Sequence, residues 1–270
     1  MYQILSEDII KKEIVPHLPI GKRGFKIQSP VYEIVNAILY KLKTGVQWSY
    51  LPVDSLFSNR VLHYKTVFGH YRKWCELDAW KNCWIELLKI HKSKLDLSSS
   101  DLDGSHTTAL RGGEDVEYQG RKKRKTTNAL YLTDRKGIPL AMSKPVAGNH
   151  NDLFEIEKQF DEIIMTLDQA TIDVKGLFIN ADAGFDAQNV RDKCLSRGII
   201  SNICPNKRNS KIDSDHLLDE KLYKERYAIE RTNAWMDSFR SVLNRFDTKT
   251  SSWKGFNFLG FIVIALKKFL

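Results

Sequence analysis

The sequence predicts a small all-helical domain over residues 1–95, followed by an α/β domain with a mixed sheet over residues 96–270. Three observations carry this. Up to about Leu95, apolar residues recur at helical spacing. After the polar stretch 93–100 the pattern changes to short runs bounded by turn residues, which read as strands. Strand-like and helical segments then alternate before the chain closes in helices, the order of an α/β layer.

In the first domain, Ser29 suits an N-cap and Pro30 the first helical position. Ile34, Ala37, Ile38 and Leu42 follow at helical spacing, and Gly45 stops the run. A turn carries Trp48, Leu51 and Pro52. Ser58 is placed to cap a second helix, in which Val61, Tyr64, Val67, Phe68 and Tyr71 alternate with Arg60, His63, Lys65, His70, Arg72 and Lys73. Helix, turn and basic helix outline a helix-turn-helix DNA reader, with Arg60, Lys65, Arg72 and Lys73 as phosphate contacts. The same outline also describes a plain packing unit. Trp74, Trp80 and Trp84 are expected in its core.

In the second domain, residues 126–133 and 138–146 read as strands around the hairpin turn Asp134-Arg135-Lys136-Gly137. Asn151 or Asp152 is expected to cap a helix carrying Phe154, Ile156, Phe160, Ile163, Ile164 and Leu167. Residues 174–181 form a continuous apolar run, as in a strand buried on both faces. A helix over 187–196, capped by Asp186, and a strand over 199–204 follow. Residues 223–246 read as one long helix whose buried side holds Trp235, Phe239, Val242, Leu243 and Phe246. A last apolar helix covers 253–269.

Composition narrows the function. Of 270 residues, 42% are hydrophobic and 28% charged, which excludes a largely disordered chain. A net charge of +9 favours a polyanionic partner. Cys75, Cys83, Cys194 and Cys204 show no CxxC pairing and no nearby histidine at zinc-finger spacing, so thiols in a reducing compartment are expected. The apolar run 256–266 is too short to span a bilayer, and Lys267 and Lys268 close it. With no signal-peptide pattern, the expected location is cytoplasmic, away from membranes.

Three acids are candidates for chemistry. Asp103 lies near the end of Leu-Ser-Ser-Ser-Asp-Leu-Asp-Gly, Asp182 ends the apolar run Gly-Leu-Phe-Ile-Asn-Ala-Asp, and Glu230 rides a helix-like stretch. Two carboxylates at strand ends plus one on a later helix can converge despite wide separation. Such hard oxygen ligands suit magnesium or manganese, and a pair of ions can clamp an in-line attack on phosphate. Asp101 and Asp103 share a strand face by period two, so either could be the first ligand; Asp103, next to Gly104, is nearer the strand end. Arg121, Lys122, Lys123, Arg124 and Lys125 make the densest positive run and would grip phosphates near the metals. His150 reads equally as a capping or core residue and as a neighbour of the scissile phosphate.

Together these residues match a family. Asp103-Gly104-Ser105-His106-Thr107, Lys125-Thr126-Thr127-Asn128-Ala129 and Ala147-Gly148-Asn149-His150-Asn151-Asp152 resemble the first catalytic block of bacterial insertion-sequence transposases of families four and five. Ala181-Asp182-Ala183-Gly184-Phe185-Asp186 resembles their second block. Tyr223, Arg226 and Glu230 reproduce the Tyr-(2)-Arg-(3)-Glu spacing of the third. Trp48, Leu51 and Pro52 resemble the small DNA-binding region that precedes these catalytic domains. The resemblance implies a ribonuclease H-like catalytic domain with Asp103, Asp182 and Glu230 as the metal-binding triad, and two Mg2+ or Mn2+ ions. Tyr223 and Arg226 would meet DNA. It also implies cleavage of 3′ ends at terminal inverted repeats, their joining to target DNA, and a dimer or larger synaptic assembly on double-stranded DNA. One departure stands out: the family places a lysine seven residues after the glutamate, where this chain has Asp237. A metal nuclease without strand transfer and an inactive, DNA-binding descendant of a transposase are the rival readings.

Overall fold

The computed structural model describes residues 3–21, 27, 29–206 and 218–270. In chain order the helices are α1 (Glu7–Ile9), α2 (Val31–Thr44), α3 (Val53–Leu56), α4 (Tyr64–Glu76), α5 (Ala79–Ile90), α6 (Ile156–Gln169), α7 (Gln188–Ser196), α8 (Glu220–Lys224), α9 (Tyr227–Asp237), α10 (Arg240–Leu243) and α11 (Thr250–Phe269). The strands are β1 (Ser100–Ala109), β2 (Glu117–Gln119), β3 (Arg124–Asp134), β4 (Pro139–Met142), β5 (Val146–Ala147), β6 (Phe178–Ala181), β7 (Ile200–Ile203) and the short β8 (Asn244–Arg245). The chain forms two compact units. One comprises Met1–Leu87, Leu110–Glu114 and Met236–Leu270; the other comprises Leu88–Ala109 and Asp115–Trp235.

The first unit is helical. On α2, Ile34, Val35, Ile38, Leu39 and Leu42 are all buried, each contributing roughly 1.5–3 kcal/mol of apolar burial. Gly45 ends the helix at φ +68°, and a side chain there would press on Cβ of Arg240; both demands select glycine. Ser29 is not the cap expected for this helix. Its hydroxyl donates to the Arg60 carbonyl at 2.8 Å, and Pro30 takes the N-cap position instead. Nor does Ser58 cap α4, because its N–H (3.1 Å) and hydroxyl are drawn to the Glu33 carboxylate. His63 caps α4, its Nδ1 accepting from the Lys65 N–H at 3.3 Å, so Arg60 and Val61 fall outside the helix and are exposed. The α2–α4 connection therefore runs through residues 45–63 and includes α3, rather than the three or four residues of a tight helix-turn-helix.

The core of this unit forms around α11, which is apolar on nearly every side and buried without a break from Gly255 to Leu266, as a helix enclosed by its own domain should be. Tyr71 stacks on Phe256 with centroids 4.4 Å apart, and Trp84 meets Phe261 edge-on at 5.8 Å. Trp74, Trp80 and Trp84 are fully buried, as the sequence predicts. Buried Arg245 donates to the Glu114 carbonyl at 2.7 Å and to the Asp247 carbonyl at 2.9 Å, tying the short segment 110–114 into the unit. Among the described residues, no helix is long and apolar enough to cross a membrane.

The second unit is built on a mixed sheet of order β2-β3-β1-β6-β7, with β4 and β5 added to β3. β1 and β3 are antiparallel, while β1, β6 and β7 are mutually parallel. The β3–β4 hairpin closes as expected: Asp134 Oδ1 accepts from the N–H groups of Lys136 (2.9 Å) and Ile138 (2.7 Å), and Gly137 adopts φ +82°. α6 packs on β4 and α7 on β7, with Phe160, Ile163, Ile164 and Leu167 of α6 buried. The all-helical region and the mixed α/β sheet are thus as predicted, with a ribonuclease H-like strand order.

Several boundaries differ. α6 starts at Ile156 behind Glu155, which sits at φ +47°, so neither Asn151 nor Asp152 caps it. β6 starts only at Phe178, because Val174–Leu177 forms a turn with Gly176 at φ +79°. Asp186 does not cap α7; its carboxylate is taken by Arg191 (2.6 Å) and by the Asn206 N–H (2.7 Å). The single helix expected over 223–246 is divided into α8, α9 and α10, with Phe239 extended at φ −94°, ψ 106°. Helical periodicity in the sequence survives these breaks because each piece still buries its own apolar side. Phe246 lies beyond the last piece and is exposed.

Candidate active site

The parallel strands of the second unit place acids at one edge. Asp101 pairs with Asn180 and Leu102 with Ala181 across β1 and β6. One residue further on come Asp103 and Asp182, the two carboxylates picked out in the sequence. Asp182 follows the end of β6, whereas Asp103 is not at a strand end as the sequence suggests: β1 runs on past it to Ala109, paired with β3, so the two carboxylates meet where the β1–β6 pairing stops.

Asp103 is half-buried, and its Oδ1 accepts its neighbour Gly104's N–H at 2.9 Å. Burial pushes its carboxyl up to about 6, aided by the charges of Asp182 and Asp152 and opposed by the Gly104 N–H and Arg226. Asp182 is extended, at φ −74°, ψ 173°, and its Oδ1 accepts the Gly184 N–H at 2.8 Å, fixing the turn Ala183–Phe185. Asp152 is a third carboxylate beside Asp103, and its place there is absent from the sequence reading. Asn128 Nδ2 holds it at 2.8 Å, and Gly104 must lack a side chain because Asp152 occupies that space. His106 Nε2 lies 3.8 Å from the same carboxylate. Burial lowers the pKa of His106 against the pull of Asp152, favouring the neutral ring at neutral pH.

A polar ladder runs beneath this pair. Asn180 Nδ2 donates to Asp101 at 2.8 Å, and Asn202 Nδ2 donates to Asn180 Oδ1 at 2.8 Å. Asn202 also exchanges hydrogen bonds with the Asp219 backbone, at 3.0 and 2.8 Å. Asp219 in turn caps α8 through the N–H groups of Lys221 and Leu222, both at 3.0 Å. Asp101 is buried, with its carboxyl pushed up to about 6 chiefly by that burial. It is therefore tied into the ladder, while Asp103, opposite Tyr131 on β3, stands beyond the last residue paired with β6.

The helices after β7 bring Tyr223 and Arg226 to the acids. Arg226 lies close enough to Asp101 and Asp103 to favour both carboxylates in charged form, and its guanidinium sits 5.8 Å from the Tyr223 ring centroid. The Tyr223 hydroxyl is raised by burial and by the nearby Cys204 and Asp182. On α9, the Ile229 N–H lies near enough to Asp101 to favour its charged form, and Glu230 follows it on an exposed position. Among the described residues, no group of three or more His, Cys, Asp or Glu is disposed to hold a metal ion. Asp103 and Asp182 converge, and Glu230 does not complete such a group with them.

The predicted basic residues fall in two places. Arg121, Lys122, Lys123, Arg124 and Lys125 occupy the turn into β3, all exposed. Lys122 Nζ donates to the His106 carbonyl at 3.0 Å and Arg124 Nε to the Lys122 carbonyl at 3.2 Å, which folds the loop back toward β1. In the helical unit, Lys65, Arg72 and Lys73 project from α4 and are exposed, as is Arg60 before it. His150 stacks on Phe154 with centroids 3.5 Å apart.

Comparison with known proteins gives the family. Residues 12–84 match the DUF4096 model of IS4/5-family transposases, and residues 94–264 match the transposase DDE domain. No curated protein matches. Among solved structures, a piggyBac transposase synaptic complex with hairpin DNA aligns over 99% of this chain and 76% of its own, with TM-score 0.49 and 10% identity. The Mos1 strand transfer complex aligns over 93% and 82%, with TM-score 0.34 and 11% identity. The Mos1 mariner paired end complex with Mn aligns over 97% and 85%, with TM-score 0.30 and 11% identity. With the DDE domain matched over more than half its length, this chain belongs to the transposase DDE family, of the IS4/5 type.

Proposed function

We propose that the protein cleaves the 3′ ends of its own insertion sequence at the terminal inverted repeats and joins them to target DNA. The convergence of Asp103 and Asp182 one step past the last β1–β6 pair, with Tyr223 and Arg226 beside them, carries this reading. Carboxylate oxygens are the donor set of a hard divalent cation, so Asp103 and Asp182 would hold Mg2+ or Mn2+, and two ions with Glu230 swung in by α9. When bound, such ions lower the pKa of a nucleophilic water or 3′-hydroxyl and stabilise the leaving 3′-oxygen. The chain's own residues do the rest. Gly104 and Gly184 N–H groups fix the rotamers of the two aspartates. Arg226 offers a charge-assisted contact for a phosphate next to the carboxylates, and Tyr223 supports that guanidinium. The loop Arg121–Lys125 grips flanking phosphates, and Arg60, Lys65, Arg72 and Lys73 bind the terminal repeat. Action on paired ends calls for a dimer or larger synaptic assembly on double-stranded DNA in the cytoplasm.

The test uses purified protein, a duplex carrying the DNA that flanks its own gene, a target plasmid, and Mg2+. Nicking at the 3′ end and joined products are expected, both lost in EDTA. Asp103→Ala, Asp182→Ala and Glu230→Ala should each lower cleavage by about a thousandfold or more while leaving duplex binding nearly intact. Cleavage without joined products would reduce the reading to a nuclease. Binding without any cleavage would make the chain a DNA-binding descendant of a transposase.

A further inference from the structure

The helical unit contains a cavity of about 1070 Å3, lined in part by the α4 cations Lys65, Arg72 and Lys73 that are assigned above to the terminal repeat. It is larger than the pockets that enclose most small ligands, which run to about 1,000 Å3. Its wall combines the rings of Trp48 and Phe68 with the cations Lys65, Arg72, Lys73 and Arg111. Trp48 packs against Phe68 (5.1 Å between centroids) and Tyr71 (5.3 Å) and is left half-exposed.

The charges around the cavity do not cancel. Arg72 is paired with Glu76 at 3.2 Å. Lys41 is buried, donates to Ser241 Oγ at 3.2 Å, and lies 5.9 Å from the Trp48 ring centroid. Burial lowers its pKa, and Asp247 beside it supplies the opposing charge. Lys65, Lys73 and Arg111 are exposed and have no ion-pair partner among the described residues. Three uncompensated cations around an aromatic wall are the chemistry of a single-stranded nucleic-acid site, where phosphates meet cations and bases stack on rings. A tight duplex reader would present a convex helix to the major groove instead.

We propose that this cavity binds an unpaired segment of a DNA strand, its phosphates on Lys65, Lys73 and Arg111 and a base against Trp48 and Phe68. It rests on the reading that the chain acts on DNA ends, and adds that an end is held in strand-separated form by the helical unit. A flexible acidic peptide would meet the cations but would make no use of the two adjoining rings, Trp48 and Phe68.

Fluorescence anisotropy of full-length protein with labelled oligothymidylate 15-mer, beside a duplex of equal length, tests this. The double substitution Lys65→Gln/Arg111→Gln alters exposed side chains only. It should weaken oligothymidylate binding roughly tenfold and reduce the salt slope by about 1.4, two phosphate contacts at ~0.7 each. Lys65→Arg/Arg111→Lys should restore both. Photocrosslinking of a 5-iododeoxyuridine oligonucleotide to wild type should map to Trp48 or Phe68, which needs no variant to fold. Unchanged affinity and slope in the double variant, or crosslinks confined to residues outside the cavity, would overturn the proposal. Asp182→Ala should bind oligothymidylate normally, so a failure of the cleavage reading shows separately, as absent metal-dependent nicking by wild type.

Discussion

Replacing Asp103 by Asn should stabilise the metal-free protein while abolishing cleavage. The variant keeps the volume and the Oδ1 acceptor for the Gly104 N–H but removes the charge. The carboxyl is pushed up to about 6 in the folded chain, against roughly 3.9 for an unfolded aspartate. A folded pKa above the unfolded one means that the native state holds the proton more tightly. Its stabilising contribution is therefore complete below about pH 4 and is lost as pH rises through 6. At pH 8 the charged, half-buried Asp103 costs at most about 3 kcal/mol, from ~1.36 kcal/mol per pH unit, and about 1–3 kcal/mol after allowance for its partial exposure. At roughly 2–4 °C per kcal/mol, Asp103→Asn should melt about 2–12 °C above wild type in EDTA at pH 8. The gap should close on titration to pH 4, where wild type carries a neutral carboxyl too. Asp101 titrates in the same range in both proteins and cancels. Added Mg2+ should raise wild type and leave the variant unmoved, because binding to the folded state alone stabilises it. A variant that melts level with or below wild type at pH 8, or a gap that ignores pH, would refute the reasoning.

Three further outcomes are expected. Asp186→Ala leaves the buried Arg191 guanidinium without its 2.6 Å partner and should lose about 3–5 kcal/mol in urea denaturation; a loss below 1 kcal/mol would mean that water reaches Arg191. Asn180→Leu removes the donor to Asp101 and the acceptor for Asn202, and should cost about 2–4 kcal/mol by the same measurement; a neutral effect would deny the ladder a structural role. Asp237 follows Glu230 by seven residues on α9, and both are exposed on that helix. Asp237→Lys should leave single-turnover cleavage of a terminal-repeat duplex intact or faster, since a cation there attracts phosphate; a large loss would give Asp237 a necessary role of its own.

What the sequence could show depended on how local the cause was. The Asp134–Gly137 hairpin, the αL stop at Gly45 and the apolar α11 are set by residues within a few positions of each other, and each is read correctly. The caps fail where a distant group competes. Ser29 and Ser58 both have good capping chemistry, but their hydroxyls go to Arg60 and Glu33, 31 and 25 residues away. Asp186 gives up its capping role to the buried Arg191, 5 residues on, and to the Asn206 N–H, 20 residues away. The breaks between α8, α9 and α10 are hidden for the opposite reason. Their apolar periodicity is continuous, and no proline or glycine marks the joints.

The choice between Asp101 and Asp103 shows the same limit at the site itself. Period two puts both on one face of β1, and the sequence favours Asp103 only through the neighbouring Gly104 and an expected strand end that the structure moves on to Ala109. Their difference comes from β6, whose register sets Asn180 opposite Asp101 and leaves Asp103 one step past the last pair. An aspartate with an amide partner across the sheet is committed to structure, since its loss orphans that amide and Asn202 behind it. Asp103, past the pairing with β6, accepts the Gly104 N–H and meets the charges of Asp182, Asp152 and Arg226. A carboxylate raised by burial among like charges gains most from a bound cation, because the cation removes both penalties together. That asymmetry makes Asp103 the member of the pair suited to chemistry, and Asp101 the one that holds the strands in register beneath it.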